Sequence, residues 1–186
     1  MGAKGEETRA RLVRATRALM EAQGYSGTGL NQVLAESGAP RGSLYFHFPA
    51  GKDQLVGQAL AEAGREVGEL IGSLSGSPAG MVRDLLDTLG DRMEQSGYTK
   101  GCPLATVALE VSASNEPLRR LCADAYADWQ RALAELLVRE GRDPAGADAS
   151  AGTVLALLEG ALLLARVQRS RTPLDRAARA AELLLA

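Results

Sequence analysis

Histidine occurs once in this 186-residue chain, as His47, and cysteine twice, as Cys102 and Cys122. That scarcity excludes much chemistry. A lone histidine supports no Ser/His/Asp arrangement, and no Glu-x-x-His or Cys-x-x-Cys spacing is present to hold a metal. The stretch "GAPRGS" (38–43) has only two glycines, Gly38 and Gly42, and precedes too short a helix for a nucleotide loop. Catalysis, a cofactor and a metal centre are therefore not expected. The two cysteines read as small buried hydrophobes in a reducing cytosol. Long apolar runs are scarce too. The longest, Thr153–Val167, contains Glu159 and Arg166 and is short for a membrane span. The charged N-terminus has no apolar core of a secretory signal, and Glu6 stands where a myristoylation signal needs Ser or Thr. These readings predict a cytoplasmic protein without a membrane partner.

What is present is an ordinary apolar share, 46%, which suits a folded protein of one large or two small domains. The net charge of −2 conceals an asymmetry: residues 1–52 carry seven basic and four acidic groups. A basic first quarter is a weak pointer to nucleic acid, and a solvated basic helix face explains it equally well. No convincing strand is visible. Helical periodicity predicts nine helices, at Thr8–Gln23, Leu30–Ser37, Arg41–Phe48, Lys52–Ile71, Met81–Gln95, Pro103–Ser112, Glu116–Arg139, Ala149–Arg169 and Pro173–Leu185. The fold class is all-α. In the first helix Leu12, Val13, Thr16, Leu19, Met20 and Gln23 form the apolar stripe, and Gly24 ends it. Thr28 is placed to cap the second helix.

Only seven residues are Phe, Trp or Tyr, yet Tyr45, Phe46 and Phe48 stand together around His47. Leu30–Ser37 and Arg41–Phe48, joined by a glycine-containing turn, have the layout of a helix-turn-helix. In that arrangement the second helix enters the major groove with its N-terminal residues toward the bases. Arg41 can give guanine two hydrogen bonds, Ser43 can donate or accept, and Gly42 removes a side chain where DNA must come close. Leu44 and Phe48 fall on one face and pack inward. Tyr45 and His47 then point outward to phosphate oxygens. Thr28 and Lys52 begin helices, where anions are favoured. Phe46 has no assigned role.

The segment "GYSGTGLNQVLAESGAPRGSLYFHFPAGKDQL" (24–55) resembles the DNA-binding signature of the TetR family of bacterial regulators. Gly24-Tyr25, Thr28, Gly38-Ala39, Gly42, Leu44-Tyr45, His47-Phe48 and Lys52 carry the resemblance. Pro40 departs from the family's usual Ser or Thr, and "HFPAGK" has one residue more before the lysine. That extra residue and "KGCPLATVALEVS" (100–112) are similar to the LmrA/YxaF-like branch. The resemblance implies a helix-turn-helix domain at 1–51 and a ligand-binding and dimerisation domain at 52–186. It further implies a homodimer on pseudo-palindromic operator DNA, released by a small, largely apolar effector. Its pocket walls would come from Leu85, Leu89, Met93, Cys102, Leu104, Val107, Tyr126, Trp129 and Leu133, with Tyr126 or Trp129 orienting the ligand. The helices Thr153–Val167 and Pro173–Leu185 would form the dimer contact. Two alternatives stay open: a helical interaction protein that binds no DNA, and a redox sensor acting through Cys102.

Overall fold

Helix-forming residues punctuated by glycine, proline and serine produce nine α-helices and no strand among residues 2–185, the part described by the computed structural model. They are α1 (Ala3–Gly27), α2 (Leu30–Ser37), α3 (Arg41–His47), α4 (Lys52–Ser73), α5 (Pro78–Gln95), α6 (Pro103–Val111), α7 (Glu116–Arg139), α8 (Pro144–Gln168) and α9 (Thr172–Leu185). Two compact units divide them. The first takes the chain to Ala63 together with Pro103–Ala123, and the second takes Gly64–Cys102 together with the chain from Asp124. Helices α4 and α7 each run from one unit into the other.

In the first unit α1 packs against α2, α3 and α6. Its core contains Leu12, Val13, Met20, Val33, Leu44, Phe48 and Leu55, all almost fully buried. Gln23 departs from the expected stripe: it is exposed, and its amide donates to the Gly27 carbonyl and to Gln32 Oε1. Gly24 interrupts α1 with φ +72°, but helical structure resumes to Gly27. The expected stop is thus a kink. Thr28 does not cap α2. That position falls to Gly29 without a side-chain bond, while Thr28 is buried and its hydroxyl donates to the Gly24 carbonyl at 2.6 Å. Gly38 closes α2 in the left-handed region, at φ +60°, where glycine carries no steric penalty.

The second unit is built on α5, α8 and α9, each packed against the others. Two of its helices begin earlier than the periodicity suggests. Ser77 and Asp143 accept N–H bonds from Gly80 and Gly146, and Pro78 and Pro144 start α5 and α8. Proline after a capping residue is a start signal rather than a break, because its missing N–H needs no partner there. By length and composition α8, which holds an 18-residue window of mean hydropathy 1.6, is apolar enough to cross a membrane. Its inner face nevertheless serves as core, with Ala147, Ala151, Val154, Leu158 and Ala165 buried.

Helices α4 and α7 approach closely through glycines. A Cβ on Gly57 would come within 3.1 Å of Leu121, and one on Gly64 within 3.2 Å of Ala125. Trp129 Nε1 donates to the Gly64 carbonyl at 2.7 Å, which fixes the indole on α4.

Candidate nucleic-acid interface

Helix α3 is short and depends on its neighbours for its orientation. Leu44 is fully buried and Phe48, just past its end, is 1% exposed, so these two side chains dock it. Phe48 N–H closes the last turn on the Leu44 carbonyl. Arg9 of α1 lies over the Phe48 ring, 5.6 Å from its centroid. The opposite face carries Arg41, Gly42, Tyr45 and Phe46, all exposed, with Ser43 half-buried beside them. Phe46 is 72% exposed, too open for a core role. Its ring meets the His47 ring edge-on at 5.0 Å, and His47 also leans on Phe48. The imidazole is thus half-buried among rings rather than pointing wholly outward.

Gly42 has an ordinary helical backbone, and nothing lies within 4 Å of the place a Cβ would occupy. No neighbour inside the chain requires glycine there.

Lys52 is engaged within the chain. Its ammonium sits 4.1 Å from the centroid of the Tyr25 ring. Burial pulls its pKa down, and the carboxylates of Glu110 and Asp53 oppose that shift. Tyr25 Oη donates to Asp53 at 2.6 Å, which pushes the phenol up to about 12, with burial adding to the effect. Asn115 donates to the other Asp53 oxygen at 2.9 Å. Glu110 of α6 accepts the backbone N–H groups of Tyr25 (3.1 Å) and Ser26 (2.7 Å). Sequence reasoning missed Asp53, Glu110 and Asn115. Glu110 fills the space beside Gly24 where a Cβ would have to go, so the glycine was the one visible signal.

The expected pocket residues separate. Leu104 and Val107 are fully buried in the first unit, whereas Leu85, Leu89, Met93, Cys102, Tyr126, Trp129 and Leu133 belong to the second. Leu133 faces an apolar gap lined by Met81, Val82, Ala151 and Val154. Leu85 and Met93 are core, and Leu89 is half-buried. Tyr126 and Trp129 meet edge to face at 5.3 Å. Cys102 is half-buried, against the expectation of full burial, and Cys122 is buried, which pushes its thiol up to about 11. Neither forms a disulfide. Glu159 of α8 adjoins Cys102 and Tyr126 and was assigned no role from sequence. An acidic neighbour is the reverse of the electropositive setting that activates a thiol.

The family model for bacterial regulatory proteins of the TetR family matches residues 12–59, and that for the C-terminal domain of LmrA/YxaF-like transcriptional regulators matches 78–180. The chain is 36% identical over 171 residues to the HTH-type transcriptional regulator LmrA of Bacillus subtilis, covering 90% of this chain and 91% of that protein. It is 30% identical over 171 residues to the uncharacterized HTH-type regulator YxaF of the same organism, covering 90% of each. A TetR regulatory protein from Rhodobacter sphaeroides superposes with a TM-score of 0.85 at 24% identity, over 95% of this chain and 98% of that one. A TetR regulator from Legionella pneumophila gives 0.86 at 18% identity, over 100% and 98%. At such identities the two structures speak for the fold alone.

Proposed function

Since the chain belongs to the TetR family of transcriptional regulators, in its LmrA/YxaF-like branch, we propose that it is a ligand-released repressor. In this reading a homodimer holds a pseudo-palindromic operator in the cytoplasm, and a small, largely apolar molecule detaches it. DNA binding falls to residues 1–51, ligand binding and dimerisation to 52–186. The family is one of DNA-binding regulators rather than enzymes.

The observation that carries the reading is Gly42. A solvent-facing helix position with open space around it gains nothing from glycine inside the chain. A partner whose backbone must approach α3 closely does need it. Arg41 and Ser43 flank it as base readers, and Tyr45 serves as a phosphate contact. Thr28 supports the interface from inside by fixing the α1–α2 turn. His47 and Lys52 orient the surface through their ring contacts, and each retains a polar edge for phosphate. In the body, Tyr126, Trp129 and Cys102 form the favoured ligand wall, with Leu89 and Met93 as further apolar candidates. Helix α4, which runs through both compact units, is the covalent route from ligand to head. A ligand shifts the equilibrium only if it binds the DNA-released state more tightly.

Footprinting the purified protein on the DNA upstream of its own gene tests the proposal. A protected pseudo-palindrome is expected. Arg41→Ala should relax base choice at one position per half-site, at a cost of about 1–3 kcal/mol. A uniform loss over all sequences would remove Arg41 from base reading, and no protection of any DNA would favour the helical interaction protein instead.

A further inference from the structure

Two side chains among the described residues have buried polar atoms without a hydrogen-bond partner, Arg11 through Nε and Glu159 through both carboxylate oxygens. Arg11 still donates through Nη2 to Thr8. Glu159 has its whole charged end out of water, in the middle of the apolar helix α8.

Its surroundings are specific. Leu158, Ala161 and Leu162 of α8 are buried in the core, while Leu163 and Leu164 are exposed, so Glu159 lies on the flank between. Arg166, seven residues further along this flank, donates to the Thr99 carbonyl at 3.0 Å and lies against Gly101. That flank therefore faces the segment before α6. Cys102 of that segment and Tyr126 of α7 stand close enough to favour ionised Glu159, but neither completes a hydrogen bond of ordinary geometry to it. Burial outweighs them and pushes the carboxyl pKa up. Beyond Tyr126 lies the Trp129 ring, held in place by the Gly64 carbonyl.

A buried carboxylate met only by a thiol and a phenol, neither in ordinary hydrogen-bond geometry, is poorly compensated, and an apolar side chain of the same size would serve the fold better. A cation brought by a ligand reverses that balance, because charge and hydrogen-bond demand are met together. The adjacent aromatic pair offers π faces to the same cation.

We propose that Glu159 is the charge-complementary anchor of the effector site, and that the effector is an organic cation on an apolar frame, a protonated amine for preference. The proposal rests on the reading of the body as the effector-binding part, and it sharpens "largely apolar" to apolar with one positive charge.

Trp129 is the only tryptophan, so its fluorescence in the full-length protein reports on this corner. Titration with tetraphenylphosphonium and with tetraphenylborate compares two probes of one shape and opposite charge. The wild type is expected to bind the cation and discriminate against the anion. Glu159→Gln should weaken cation binding by at least about tenfold, as loss of a desolvated charge pair does. Binding of neither ion, equal binding of both, or unchanged cation binding by Glu159→Gln overturns the proposal. Thermal melts without probe guard against misfolding. Glu159→Gln and Glu159→Met should melt no lower than wild type, and a clear drop in both would mark Glu159 as structural and overturn the assignment. Operator binding is measured on the same samples. Glu159-dependent cation binding without any DNA binding would defeat the regulator reading and leave the site standing. DNA binding without charge discrimination would do the reverse.

Discussion

At Gly42 the helix is regular and solvent stands where a side chain would be. Glycine in a helix costs about 0.5–1 kcal/mol relative to alanine, so this residue lowers the stability of the isolated chain. Gly42→Ala is therefore expected to raise the melting temperature slightly. The same change should weaken operator binding by about 1–3 kcal/mol, the usual cost of forcing a methyl group into a close-packed contact. Calorimetry and gel-shift titration check the two halves, and unchanged DNA affinity would free Gly42 from the interface. Thr28 and Lys52 illustrate the other case. Both residue types suit phosphate contacts, and within the chain Thr28 also donates to the Gly24 carbonyl while the Lys52 ammonium also rests on the Tyr25 ring. Their chemistry was legible, but their partners were not.

Among the elements, α6 packs on α1, where its Thr106 hydroxyl donates to the Met20 carbonyl at 3.0 Å, and it is further tied to the head by the Glu110 carboxylate. Glu110 accepts two backbone N–H groups where α1 kinks toward α2, and Gly24 leaves room for it. Tyr25, at the same kink, is bonded to Asp53 of α4, which Asn115 also holds. Four segments of the first unit thus converge on one turn. Glu110→Ala should lower stability by about 1 kcal/mol, as expected for partly solvated charge-assisted bonds. Burial alone would raise the Glu110 pKa, but the hydrogen bonds from Ser26 and Tyr25 and the charge of Lys52 lower it overall. With a lowered folded pKa, the contribution is fully present above the ordinary carboxylate value of about 4.3 and is lost as pH falls through the lowered one. Chemical denaturation of wild type and variant should therefore converge in acid. A difference that persists at the acid end would refute the carboxylate's role.

For the whole molecule, the outer faces of α8 and α9 carry several exposed apolar side chains. Val167 is 73% and Leu183 85% exposed, with Leu163 and Leu164 about half exposed. Contiguous exposed apolar residues of this size mark an interaction surface. The proposed homodimer answers it with a second copy of the same face, as a two-fold contact requires. Leu164→Glu combined with Val167→Glu is expected to convert the dimer to monomer by sedimentation, with operator affinity falling in parallel. A double variant that remains dimeric would move the contact elsewhere.

Local pattern alone determined the helical class, the approximate position of each helix and the division of α3 into an inner face of Leu44 and Phe48 and an outer one around Arg41 and Gly42. Those features depend on a 3.6-residue period and on turn residues such as Gly38, which act over a few positions. Tertiary structure alone decided that Glu110 reaches Tyr25, 85 positions away, and that Lys52 rests on an aromatic ring. It also decided that Leu104 and Val107 pack with the first unit and that Glu159 loses its water without gaining a hydrogen bond of ordinary geometry. A residue's type states which bonds it can make. Which of them it makes, and which buried group is left for a ligand, depends on side chains brought together from distant parts of the chain.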